Sequence, residues 1–199
     1  MRNGQMSKLV GTYLAILFLA AGCGQGPGAG EADSSKKGDS NMALTITSTA
    51  FKAGSAIPKK YTGEGADVSP PLAWSGVPKE AKELALICDD PDAPTAEPWV
   101  HWVIYNIPPE TAGLPEGVPT KETLADPKDA KQGLTDFKKV GYGGPMPPRS
   151  HGPHHYHFKL YALDAPLNLS PKQTKKQVLD AMKVHILAQG ELVGTYERK

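Results

Sequence analysis

Between residues 42 and 199 the hydrophobic positions come in short runs broken by Pro and Gly, at 44–49, 72–74, 84–89, 99–107 and 156–163. Runs of this length, rich in Val, Ile, Leu and aromatic residues and bounded by turn residues, predict β-strands. With 19 Pro and 21 Gly in 199 residues, the chain is punctuated too often for a helical bundle. Strands do not alternate with long helices, as a parallel sheet would require. The expected fold is therefore mainly β, a two-sheet antiparallel Greek-key sandwich. One helix is marked near the end: Ser170 can cap it, Pro171 suits its first turn and Gln173 completes a capping box. Val178, Leu179, Met182 and Ile186 would form its buried stripe, and Gly190 its stop. A second, short peripheral helix is expected over 120–131, interrupted by Pro127.

Composition changes the picture at the N-terminus. Residues 1–22 hold Arg2 and Lys8, no acidic residue, and an apolar run from Leu9 to Ala21 that leads into Gly22-Cys23. The run falls short of the roughly 20 residues a spanning helix needs, so it reads as a signal peptide. Small residues directly before a cysteine suit a lipoprotein signal peptidase, which makes Cys23 the expected lipidation site. Residues 23–41, mostly Gly, Ser, Ala and charged residues, have almost nothing to bury and form an expected tether. About 18 flexible residues reach roughly 25 Å. Residues 42–199 are the right length for one domain. The expected location is the bacterial cell envelope, with the domain held at a membrane through the lipid on Cys23.

Loss of Arg2 and Lys8 with the signal leaves 20 basic against 21 acidic residues, so no nucleic-acid surface is indicated. With Cys23 acylated, Cys88 has no disulfide partner and reads as a small core residue.

Four segments carry candidate chemistry. In Asp89-Asp90-Pro91-Asp92-Ala93-Pro94 an apolar strand runs into a stiff acidic loop. If Asp90 and Asp92 converge on a cavity, they can accept hydrogen bonds from a ligand or orient a histidine; otherwise the loop is a solvated turn. Trp99-Val100-His101-Trp102-Val103-Ile104-Tyr105 is apolar on both faces, as a covered central strand would be. A carboxylate beside His101 would favour the imidazolium and make it a donor to an anion. Gly141-Tyr142-Gly143-Gly144-Pro145 can turn backbone N–H groups toward an anion, although the P-loop lysine and its following helix are missing. In the last segment, His154, Tyr156, Phe158 and Leu160 share one face of a strand while His155, His157 and Lys159 share the other. That parity puts His154 and Tyr156 at the rim of the core and divides the histidines between faces, so no metal site or cofactor is expected, with a site from His101, His154 and Asp92 as the alternative. A nucleophile with its base and oxyanion donors is not recognisable, which leaves no catalytic residue to name.

These segments, in this order, resemble the phosphatidylethanolamine-binding protein family, also called Raf kinase inhibitor-like, and most of all its bacterial YbhB/YbcL-type branch. The resemblance is carried by Asp-Pro-Asp-Ala-Pro at 90–94, Trp-Val-His-Trp at 99–102, Gly-Tyr-Gly-Gly-Pro at 141–145 and Pro-His-His-Tyr at 153–156, and extends over 42–199. It implies a two-sheet β fold with a small pocket for phosphate-like or other anionic groups, built from Asp90, Asp92, His101, Gly143, His154 and Tyr156. His155 stands where many members carry arginine. The expected role is a binding or regulatory module for a small anionic or phosphorylated ligand such as a phospholipid headgroup. The alternatives are a hydrolase using His and Asp on a phosphate or acyl ester, and an inhibitor of an extracytoplasmic protein such as a protease. A homodimer is compatible with the resemblance.

Overall fold

The computed structural model describes residues 44–199; the expected signal peptide, the tether and Cys23 lie outside the described residues. Eight strands and one helix are formed among them: β1 Thr45–Thr47, β2 Leu72–Ser75, β3 Glu83–Asp90, β4 Trp99–Ile107, β5 Gly113–Leu114, β6 Lys131–Gln132, β7 His154–Leu163, α1 Lys175–Met182 and β8 Ile186–Tyr196. They build two antiparallel sheets, one of three strands in the order β1-β2-β5 and one of five in the order β6-β4-β3-β7-β8. The expected fold class is met.

Every residue of β3 is buried, because the strand is central and covered on both faces. Leu84, Leu86 and Cys88 face the three-stranded sheet, where Ile46, Leu72, Trp74, Phe158 and Leu160 complete the sandwich core. Ala85 and Ile87 face the other way, into a second cluster with Val103, Tyr105, Val178 and Met182 beneath α1. The near-continuous apolar run of β3 thus reflects burial on both faces, where strict alternation marks a strand covered on one. Cys88 lies in the first cluster, and burial pushes its thiol pKa well up. It is a core residue, without thiolate character.

Two β-bulges shape β4. Leu84 pairs with Ile107 but Leu86 with Ile104, and Cys88 pairs with Trp102 but Asp89 with Val100. In each case β4 carries one extra residue, which re-aims the side chains on either side. The second bulge lies at His101. At the other end, Glu83 is buried and clamps the chain, accepting from the N–H groups of Asn106 and Leu167 at 2.8 Å each.

The helix differs from the sequence expectation. It starts four residues later than Pro171 would have it, with Thr174 as N-cap and Gln177 as the reciprocal partner. The Ser170 and Gln173 pair satisfies the same rule in sequence. However, Gln173 is held elsewhere: its N–H donates to the Tyr105 hydroxyl and its carbonyl accepts from Leu134 N–H. Val178 and Met182 are buried as the stripe requires. Ile186 is instead the first residue of β8, and Gly190 pairs with Leu160 in mid-strand. A side chain at Gly190 would collide with the Leu44 carbonyl 2.0 Å away; the glycine lets the N-terminal segment cross β8 and does not end a helix. The second short helix expected over 120–131 does not form. That stretch is turns, with Leu124 N–H donating to the Ala130 carbonyl, and the other helical turn is a 3-10 turn at Lys59–Tyr61.

Candidate functional site

The bulge in β4 directs His101 toward the end of the sandwich where β3 and β7 meet. Asp90, the last residue of β3, and His154 and Tyr156, at the start of β7, arrive at the same place. Together with Ala93, Pro94, Thr95, Trp99, Phe137, Met146, Pro147 and Pro148 they line a cavity of about 220 Å³. This is smaller than the roughly 300 to 1,000 Å³ of drug-sized sites and suits a group of a few atoms. The polar groups sit inside, and Trp99, Phe137, Met146 and the prolines form an apolar rim.

Asp90 and His154 are both almost wholly buried and joined by His154 Nδ1–H donating to Asp90 Oδ2 at 2.8 Å. The other Asp90 oxygen accepts from the Asp92 N–H at 2.8 Å, closing the turn after β3. Both oxygens of Asp90 are therefore engaged by the protein. Its carboxylate orients His154 and does not reach out for a ligand cation. A second negative charge about 5 Å from it would be opposed by roughly 3 kcal/mol in an effective dielectric of about 20, so His154 must carry a proton, or the ligand little charge, for an anion to settle here.

The remaining ring nitrogen of His154, Nε2, lies 3.2 Å from His151 Nδ1 on the exposed loop before β7, within hydrogen-bond reach. That loop turns on Ser150 and Gly152, both at positive φ.

His101 Nδ1–H donates to the Gly143 carbonyl at 2.6 Å, and Gly143 N–H donates back to the His101 carbonyl at 2.9 Å. Burial lowers the His101 pKa, with the Gly143 carbonyl and the charge on Asp90 acting against it. The ring is thus a neutral imidazole whose Nε2 is an acceptor. This corrects the sequence expectation of a cationic donor held by a carboxylate, because the group against Nδ1 is a carbonyl and Asp92 lies elsewhere. Edge contacts with Tyr156 and Phe137, at 5.0 and 5.3 Å between ring centroids, hold the imidazole in place.

The Tyr156 hydroxyl is buried and makes no hydrogen bond of acceptable geometry among the described residues. Burial first, then the nearby charge on Asp90, raise its pKa far above the usual phenol range. It stays an O–H donor, close to the Asp90 carboxylate but without a well-formed hydrogen bond to it. A buried polar group left alone in this way costs about 1 to 3 kcal/mol, which a ligand oxygen would recover.

Two of the expected site residues take other roles. Asp92 points outward and accepts from the backbone N–H and the Nδ1–H of His155, at 2.8 and 2.7 Å, in a half-exposed pair. Its modest burial tends to raise its pKa, and the His155 hydrogen bonds outweigh that and lower it. Asp92 is absent from the cavity wall because β3 ends at Asp90 and the chain turns away. Gly143 contributes no free N–H, since His101 takes it, and the Gly144 N–H donates to Asp67 Oδ1 at 2.6 Å. The expected anion nest is filled by the protein itself. Gly143 matters for space: a Cβ there would stand 2.8 Å from the Phe137 ring.

The rim was only partly visible in sequence. Met146, Pro147 and Pro148 follow the glycine loop directly and Trp99 opens the Trp-Val-His-Trp motif, but Phe137 carries no motif, and its edge contact with Trp99, at 5.5 Å, is made in space alone. Among the described residues, no three His, Cys, Asp or Glu side chains converge as metal ligands.

Residues 47–197 match the family description Phosphatidylethanolamine-binding protein. A UPF0098 protein of Pyrococcus horikoshii is 45% identical over 195 residues, covering 98% of this chain and 91% of its own. One from Methanothermobacter thermautotrophicus is 50% identical over 155 residues, covering 78% of this chain and 99% of its own. Among solved structures, a phosphatidylethanolamine-binding protein homologue from Chlamydia trachomatis superposes with a TM-score of 0.71 at 43% identity, covering 79% of this chain and 99% of its own. Escherichia coli YbcL, described as a member of the mammalian PEBP family, does so with a TM-score of 0.74 at 34% identity, over 78% of this chain and 99% of its own. With a family match spanning most of the chain and relatives this similar over nearly their whole length, the chain belongs to the phosphatidylethanolamine-binding protein family.

Proposed function

We propose that this protein is an exported, lipid-anchored binding module that holds a small anionic or phosphorylated group in the cavity between β3, β4 and β7. The observation that carries the reading is the buried Tyr156 hydroxyl, without a well-formed hydrogen bond among the described residues, beside a histidine braced by a buried carboxylate. Such groups cost stability unless an occupant satisfies them. The chemistry of the wall favours holding over turning over: the Tyr156 phenol stays protonated, and the Thr95 hydroxyl donates to the Glu97 carbonyl at 2.7 Å. The Asp90 carboxylate beside Tyr156 favours the protonated phenol and does not activate it, and the Thr95 hydroxyl is committed to a carbonyl. The family name, and that of the Chlamydia trachomatis homologue, point the same way.

Isothermal titration of the purified full chain with phosphoethanolamine tests the binding role. Saturable binding that Tyr156→Phe weakens is expected, and an absence of binding heat in the wild type at every pH tried would overturn the reading. The anchor is tested separately by intact-mass measurement on the membrane fraction. An acyl mass on Cys23, and release of the Cys23→Ser protein into the soluble fraction, are the expected results.

A further inference from the structure

We propose that His151 and His154 are the protein ligands of a site for a divalent late transition metal, zinc, nickel or copper, with solvent completing the coordination. The proposal goes beyond the binding role above and does not depend on it. Among the described residues, His151 Nδ1 and His154 Nε2 make the one contact between two histidine nitrogens, at 3.2 Å. That is the long end of the hydrogen-bond range, and a hydrogen bond uses the lone pair of one ring only. A metal ion uses both. With metal–nitrogen bonds of about 2.0 to 2.1 Å, nitrogens at this separation subtend about 100° at the ion, close to the tetrahedral angle.

The surroundings favour a cation at this point. His154 donates Nδ1–H to Asp90 at 2.8 Å, which leaves Nε2 as the ligating atom and places behind the ring the carboxylate that orients and strengthens metal-bound histidines. The buried charge on Asp90 opposes an anion near Nε2 and attracts a cation there. His151 stands on an exposed loop that turns on Ser150 and Gly152, both at positive φ, and it can keep its own proton on Nε2 while Nδ1 binds. The set of His101, His154 and Asp92 weighed from sequence is not brought together, because Asp92 turns outward to His155. His155 and His157 project from the other face of β7 and are each paired with a carboxylate, so they cannot join His154. Two imidazoles make an open, nitrogen-donor site, which selects against calcium and magnesium and ranks copper above nickel and zinc.

The test is calorimetric titration of the full chain, stripped of metal by a chelator, with zinc(II), and with magnesium as the hard-cation control. Saturable zinc binding without magnesium binding is expected. His151→Ala changes an exposed loop residue and leaves the fold intact; it is expected to weaken zinc binding roughly tenfold or more. His155→Ala and His157→Ala are expected to bind zinc as the wild type does. Copper(II) gives a second readout: electron paramagnetic resonance should show coupling to two ring nitrogens in the wild type and to one in His151→Ala. The proposal is overturned if the wild type binds no zinc, if His151→Ala keeps the wild-type affinity, or if His155→Ala or His157→Ala removes the binding instead. Phosphoethanolamine binding by the metal-free protein is measured independently, so either reading can fail while the other stands.

Discussion

Asp89 and Asp90 are adjacent on one strand, both buried, and face opposite sides of the same sheet. Asp89 points under α1 and is held by two permanent cations: Lys159 from β7 at 2.9 Å and Lys175 from the first turn of the helix. Asp90 points to the cavity and is held by a single titratable ring, His154, whose second nitrogen leads to the loop at the mouth. A carboxylate saturated by lysines is a fastener that ties helix to sheet. A carboxylate paired with an imidazole sets the orientation of a group that can change its charge. The same residue type, one position apart, thus serves architecture on one face and ligand chemistry on the other.

The sharpest break of this comparison is Asp89→Ala. It leaves two lysines facing an apolar layer and is expected to cost about 3 kcal/mol of stability, the low end for a broken buried pair because the lysines are partly exposed. Urea denaturation should show the loss, while phosphate affinity in the folded fraction should stay unchanged. Asp90→Asn should reverse the pattern. Stability is expected to fall by only about 1 to 2 kcal/mol, while phosphate binding weakens by roughly tenfold or more as His154 loses the carboxylate that orients its ring. Equal loss of stability in the two variants would erase the distinction between fastener and orienting group.

A smaller expected effect sharpens the cavity side. Tyr156→Phe removes a hydroxyl that makes no well-formed hydrogen bond among the described residues, so stability should change by less than about 0.5 kcal/mol or even improve, with ligand affinity falling. His101 sets a pH signature. Its folded pKa lies below the ordinary 6.5 because burial disfavours the cation, so its contribution is whole above that value. Stability then falls as pH drops from 6.5 through the lowered folded pKa, where the unfolded chain takes up the proton first. Urea midpoints over that range should decline in the wild type and decline less in His101→Gln. Last, His155→Ala breaks a half-exposed pair with Asp92 and should change stability by at most about 1 kcal/mol, leaving ligand affinity as it was. A large loss of affinity there would bring Asp92 and His155 into the site after all.

Several of these features were legible in the chain. The runs at 84–89, 99–107 and 156–163 became β3, β4 and β7, and the alternation that put His154 and Tyr156 on one face and His155 and Lys159 on the other is the alternation of burial along β7. Period-2 patterning survives into the fold wherever the strand is regular, because successive side chains must point to opposite faces. The helix was visible as an apolar stripe at Val178 and Met182, but not its start. Two capping boxes are written four residues apart, and tertiary hydrogen bonds to Gln173 choose between them. β8 was read as the end of that helix, since Ile186 and Gly190 fit a helical stripe and stop as well as they fit an edge-facing strand, and only pairing with β7 separates the two.

What the sequence determined by itself is therefore the fold class, the strands that carry the site, and the face on which His154 and Tyr156 lie, since all three follow from local periodicity and turn chemistry. What the tertiary structure decided is which of the named residues meet. A bulge opposite Asp89 turns His101 into the cavity, the end of β3 at Asp90 sends Asp92 outward, and the glycine N–H groups are used up in donating to the His101 carbonyl and to Asp67. Each of these depends on register and partner choice across strands distant in sequence, and no local pattern encodes them.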